Sequence, residues 1–173
     1  WHAGISSWQN YKSLNKHSIG IEISNPGHDN KYKKFSKKQI QSILKLSKYL
    51  IKKYKIKNKF ILGHSDIAPL RKKDPGEKFP WKHLSKNNVG LWYDLNEKKL
   101  LETRELKVYK YNEINFLKNL YKIGYSRVLN KDKNKNIKLL TKAFQRRFRQ
   151  SLINGIIDQE CLLISKNIAK KFK

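Results

Sequence analysis

The chain has 173 residues, enough for one ordinary domain with a real core or a medium domain plus a small module. Its 38% hydrophobic and 12% aromatic content excludes a disordered chain. The net charge of +27 invites an anionic partner, but the cations are mostly lysines scattered along a chain rich in Asn and Ile. That pattern fits solvated surface as well as a polyanion, and it marks out no nucleic-acid-binding stripe.

In chain order, the first predicted element is a strand over residues 18–24. Ile19, Ile21 and Ile23 alternate with Gly20, Glu22 and two serines, which puts Glu22 opposite the isoleucines. Asn25-Pro26-Gly27 ends it. Ser36 and Gln39 have the spacing of a capping box. Ile40, Ile43, Leu44, Ser47, Leu50, Ile51 and Tyr54 then follow a helical period, with lysines filling the outer face. Residues 59–62 read as a second short strand, and a loop over 63–76 hangs from its end.

Residues 94–112 show no sustained period and read as a linker or peripheral helix. Three helices are expected after it, over 114–121, 137–148 and 159–172. Asn154-Gly155 marks a turn, and Asp158 is placed to cap the last helix. The single cysteine, Cys161, sits among apolar residues and rules out a disulfide or a cysteine metal site within one chain. No apolar run has the length of a membrane span. The chain begins at Trp1 and contains no Met, so a processed product or a fragment is expected.

The 63–76 loop carries the chemistry. His64 and Asp74 are ligands of the kinds zinc accepts, and Pro69, Pro75 and Gly76 stiffen the connection between them. Lys72 lies two residues before Asp74, where a cation can stabilise a developing oxyanion. Glu22 can act as general base toward a metal-activated water. Together they point to metal-assisted hydrolysis. Singly, each has a plainer reading: a structural His, a turn Asp, an exposed strand acid, and surface charge at Arg71-Lys72-Lys73.

Five ordered motifs bear on that choice. They are Trp1-His2-Ala3-Gly4; Asn15 with Ser18-Ile19-Gly20-Ile21-Glu22; Gly63-His64-Ser65-Asp66-Ile67-Ala68-Pro69; Arg71-Lys72-Lys73-Asp74-Pro75-Gly76; and Phe79-Pro80-Trp81. The series resembles the zinc-dependent N-acetylmuramoyl-L-alanine amidases of the AmpD/AmiD branch, relatives of the peptidoglycan recognition proteins. The resemblance spans roughly residues 1 to 92. It implies an α/β fold, a mixed β-sheet flanked by helices, and cleavage of the amide between N-acetylmuramic acid and L-alanine in peptidoglycan or its fragments.

Residue by residue, the resemblance implies zinc ligands at His64 and Asp74 and catalytic roles for Glu22 and Lys72. His2 matches a family His that is not a metal ligand. His2 and Arg71 are carried as substrate-binding candidates. Leu70 stands where the branch usually has Gly. The family's first zinc-ligand His lies on a strand upstream of the Trp-His-Ala-Gly motif, before this chain begins. The alternative expectation is therefore a non-catalytic peptidoglycan-binding remnant lacking that ligand and its strand.

A second resemblance covers Leu117 to Tyr125, Ala143 to Arg149 and Asn154 to Asp158, which look like a three-helix peptidoglycan-binding domain. Phe144 and Phe148 are expected in its core, with Gln145 and the arginines on the glycan-facing side. The implied division is a catalytic domain over 1–95, a linker over 96–112 and a binding domain over 113–173. The implied setting is a bacterial cell envelope, with a cytoplasmic enzyme as the other option. Zn²⁺ is the expected cofactor, and peptidoglycan or muropeptides are the expected partners. No nucleic-acid partner and no transmembrane segment are expected, and the chain is expected to be a monomer.

Overall fold

The predicted capping box forms. In the computed structural model, which describes residues 1–128 and 132–172, Ser36 Oγ accepts the Gln39 N–H at 3.2 Å. Gln39 Oε1 accepts the Ser36 N–H in return at 2.8 Å. Two amides that the first turn cannot pair internally are thereby satisfied. Helix α1 runs Lys37–Tyr54 and buries Ile43 and Ser47. It lies on a small cluster made by Phe79, Trp81, Leu84 and Val89.

The β content is smaller than the alternation suggested. Among the described residues the sheet is one antiparallel ribbon, β1 Ser7–Trp8 paired with β2 Tyr11–Lys12. Neither 18–24 nor 59–62 joins a ladder. Residues 58–60 form a 3₁₀ turn, and Ile61 after them is extended. Alternation encodes which side of a segment is apolar, but a strand also needs a neighbour to take its backbone groups. The Ile61 carbonyl instead accepts from the Arg147 side chain at 2.9 Å. The three isoleucines of 18–24 also part company: Ile23 packs under α1, while Ile19 and Ile21 are exposed.

The remaining helices are α2 His64–Ile67, α3 Trp81–Lys86, α4 Glu97–Glu102, α5 Lys110–Ile123, α6 Lys133–Phe148 and α7 Gln159–Ala169. The architecture is α/β, ending in three helices as expected. The unperiodic stretch 94–112 contains α4, capped by Asn96, whose side chain accepts the Lys99 N–H. Asp158 caps α7 by accepting the Cys161 N–H at 2.9 Å. Gly155, at φ +77, makes the turn before it.

One core joins the two ends of the chain. Phe116, Leu120, Phe144 and Ile164 from α5–α7 lie in the same buried cluster as Ala3, Trp8, Leu14 and Ile67. Trp8 meets the edge of the Tyr125 ring with centroids 5.0 Å apart. Gly124 allows that approach: at φ +136, a Cβ on it would lie 2.6 Å from Trp8 Cε2. Next to this core, Arg149 reaches both Asp158 and Glu160, and Arg104 forks onto Glu160 at 2.7 and 2.9 Å. Arg149, Asp158 and Glu160 are buried and Arg104 is partly exposed, so two cations face two carboxylates largely away from water. Among the described residues no helix is long and apolar enough to cross a membrane.

Cys161 is fully buried in this core, and burial pushes its thiol up to about 12, with the Asp158 charge adding to the effect. The thiolate is the reactive species. Native protein is therefore expected to resist a thiol reagent at pH 8 and to react fully once denaturant unfolds it. Rapid labelling of the folded protein would contradict this placement.

Candidate active site

A close backbone crossing holds the loop. Ser65 N–H donates to the Asp74 carbonyl at 2.9 Å, tying the loop's two ends together. Gly63 makes room for the crossing, since a Cβ there would lie 2.5 Å from Pro75 Cδ and 3.2 Å from Trp81 Cζ2. The Asp74–Pro75 peptide is cis. The loop's far end is overlaid by residues 28–32. Tyr32 donates to the Pro75 carbonyl at 2.6 Å, and His28 meets Glu77 at 3.0 Å while stacking on Tyr32.

The crossing brings His64 Nδ1 to 2.5 Å from Asp74 Oδ2. Both side chains remain partly accessible, at 33% and 54%. The Asp74 hydrogen bond raises His64 above its ordinary value against the pull of burial, and the His2 backbone adds to the rise. Burial pushes Asp74 upward, but the His64 hydrogen bond and charge outweigh it and hold the carboxyl low. Lys72 is close enough for its charge to lower both groups.

A nitrogen and an oxygen donor converging from a stiff loop suit zinc. Zinc bonds of about 2.0–2.1 Å at tetrahedral angles place two donors roughly 3.3 Å apart, so the pair would open by under about 1 Å to admit the ion. A catalytic zinc takes three protein ligands. Among the described residues no group of three or more His, Cys, Asp or Glu is placed to hold a metal. His64 and Asp74 thus fit two positions of such a site.

The other expected site residues fall into three situations. Lys72 is brought to the pair. His2 borders it through its backbone, while its ring meets Ser18 Oγ at 2.8 Å and its N–H donates to Asn15 Oδ1 at 2.9 Å. Gly20 lies against that ring, where a Cβ would come within 2.6 Å of His2 Cγ. Arg71 turns away from the pair: its Nη2 donates to the carbonyls of Ala3 and Ile5 at 3.1 and 3.0 Å. Glu22 is exposed on the 18–24 segment, and no described hydrogen bond or ion pair joins it to His64, Asp74 or Lys72.

Sequence reasoning missed Asp66. It is 2% exposed and accepts from Gly63 N–H at 2.8 Å, Tyr125 Oη at 2.8 Å and Arg147 Nη1 at 3.0 Å. Its position three residues after Gly63 was a usable signal, because an acid there can reach back to the free N–H that opens a helix. The expected outward arginines also need correction. Arg147 and Arg149 are 3% and 2% exposed, and Gln145 is fully buried. Carboxylates that no local pattern pairs with them, Asp66 and Asp158, draw both arginines inward.

The chain is similar to known proteins over most of its length. The family profile for N-acetylmuramoyl-L-alanine amidases (Amidase_2) matches residues 1–77. The chain is 33% identical over 177 aligned residues to the N-acetylmuramoyl-L-alanine amidase AmiD of Escherichia coli, covering 99% of this chain and 64% of AmiD. It is 39% identical over 82 residues to the 1,6-anhydro-N-acetylmuramyl-L-alanine amidase AmpD of Haemophilus influenzae, covering 47% of this chain and 42% of that protein. A solved structure of E. coli AmiD superposes with a TM-score of 0.87 at 34% identity, covering 99% of this chain and 68% of that one. That AmiD was solved with the substrate anhydro-N-acetylmuramic acid-L-Ala-D-gamma-Glu-L-Lys. The chain thus spans just under two thirds of the curated AmiD sequence. With 99% of the chain superposed at 34% identity and residues 1–77 matched by the family profile, the chain belongs to the N-acetylmuramoyl-L-alanine amidase family.

Proposed function

We propose that this chain hydrolyses the amide between N-acetylmuramic acid and L-alanine in peptidoglycan or its fragments. The observation that carries the reading is the convergence of His64 and Asp74 at 2.5 Å, with the Lys72 charge beside both. The named activity of AmiD, alike over the full length of this chain, supports it.

His64 Nδ1 and Asp74 Oδ2 would hold zinc, and the ion, when bound, supplies Lewis-acid chemistry. Glu22 takes a proton from water as its oxygen adds to the lactyl carbonyl of N-acetylmuramic acid. Lys72 stabilises the negative charge that develops on the carbonyl oxygen. The C–N bond then breaks, and the alanine nitrogen leaves with the proton that Glu22 received. The ends of the loop stay fixed by the Ser65–Asp74 backbone bond, so orientation precedes binding. His2 contacts substrate beside the pair, and Arg71 acts through the backbone of residues 3–5 that it holds.

We assign catalysis to 1–95, a connecting role to 96–112 and peptidoglycan binding to 113–173. The protein acts as a monomer on peptidoglycan or muropeptides in the cell envelope. The division concerns tasks, because the core is shared.

Zinc titration tests the site. Asp74→Ala is expected to weaken zinc binding by at least about tenfold, the scale on which even outer partners of a metal site act. Equal zinc affinity in wild type and Asp74→Ala would remove Asp74 from the ligand set.

A further inference from the structure

We infer that Arg147, in the last turn of α6, is a positioning residue for the His64 loop, acting from the helical unit through Asp66. This rests on the reading of His64 and Asp74 as the metal pair, and its test is arranged to separate the two.

The geometry is directional. Arg147 Nη1 donates to Asp66 Oδ2 at 3.0 Å, Nη2 donates to the Ile61 carbonyl at 2.9 Å, and the guanidinium lies 3.5 Å from the centre of the Trp81 ring. The three contacts fall on the two flanks of His64 and on the ring that packs against Gly63. A guanidinium is suited to this, since its planar fork can bond two acceptors while its face stacks on an aromatic ring.

Asp66 transmits the contact. It sits on the single turn of α2, two residues from His64, and accepts the Gly63 N–H at the start of that turn. The same turn supplies Ser65 N–H to the Asp74 carbonyl. Arg147, Asp66, α2 and Asp74 therefore form one hydrogen-bonded chain from the helical unit to the candidate ligands. Tyr125, after α5, holds the other Asp66 oxygen at 2.8 Å. Both side chains that fix Asp66 come from residues after 113. Side chains of Arg147 and Asp66 are 4% and 2% exposed, so water cannot substitute for either partner.

Amide hydrogen exchange in the whole chain tests this without calling on zinc or substrate. Arg147→Lys keeps the charge and loses the fork. It is expected to speed exchange at Gly63 and Ser65 by about tenfold or more while buried amides of α7 keep their rates, the signature of a local opening. Tyr125→Phe removes one hydroxyl and is expected to speed the same two amides by a smaller factor. Zinc affinity, measured in parallel, is expected to fall about 10- to 100-fold in Arg147→Lys, as for other supporting partners of metal ligands.

Unchanged exchange at Gly63 and Ser65 overturns the inference, and so does an equal acceleration of every amide, which would make Arg147 a general stabiliser. Should Arg147→Lys fail to fold, Tyr125→Phe decides alone by the same two amides. If Asp74→Ala binds zinc as tightly as wild type while the two amides respond as expected, the metal reading fails and the positioning role stands. If zinc binds and the amides do not respond, the positioning role fails and the metal reading stands.

Discussion

A chain cut after residue 112 is expected not to fold, whereas the full chain should unfold in a single cooperative transition. The cut removes Phe116, Leu120, Phe144 and Ile164, which share a core with Trp8, Leu14 and Ile67. Replacing one buried Phe by Ala typically costs about 3–5 kcal/mol, and this cut removes several large side chains at once. It also strips Asp66 of Arg147 and Tyr125. Leaving one member of a buried ion pair alone costs about 3–5 kcal/mol. Net stabilities of domains are only about 5–15 kcal/mol, so the remainder has nothing left to hold it. Circular dichroism during heating checks this. A cooperative melt from residues 1–112 alone would show that the shared core is not required, and that the division by task is also a division of folding units.

The largest expected effects on rate come from Glu22 and Lys72. Glu22→Gln keeps the shape and removes the base, which typically costs a factor of about 10² to 10⁴. Lys72→Met keeps the length and removes the charge, and loss of one oxyanion-stabilising group costs on the order of 10² to 10³. Neither is a proposed ligand, so zinc affinity should hold in Glu22→Gln and change little in Lys72→Met. Stability should hold in Glu22→Gln, because Glu22 is exposed and, among the described residues, no hydrogen bond or ion pair joins it to the loop. Release of alanine-headed peptides from a muropeptide measures the rate. Wild-type turnover in both variants, with zinc still bound, would remove these two residues from the mechanism.

The sequence by itself determined what depends on neighbours along the chain. The Ser36 box, the Asp158 cap and the Gly155 turn need only residues within about one helical turn of each other, and all three formed as read. Phe144 and Phe148, one turn apart on a helix, were expected in the core and are there. The ordered motifs around His64 and Asp74 were enough to place the chain in its family.

Tertiary structure decided what depends on partners far away in sequence. Alternation at 18–24 assigned faces but supplied no neighbouring strand, so Ile19 and Ile21 stay exposed. The arginines after Gln145 looked like a charged outer face because no acid lies nearby on their helix. The partner of Arg147 is 81 residues away, at Asp66. A buried ion pair is set by where the fold brings two charges, since only a close partner offsets the cost of leaving water. With the Tyr125–Asp66 hydrogen bond and the shared core, that contact joins the final helices to the segment around His64, and no local pattern in either segment encodes it.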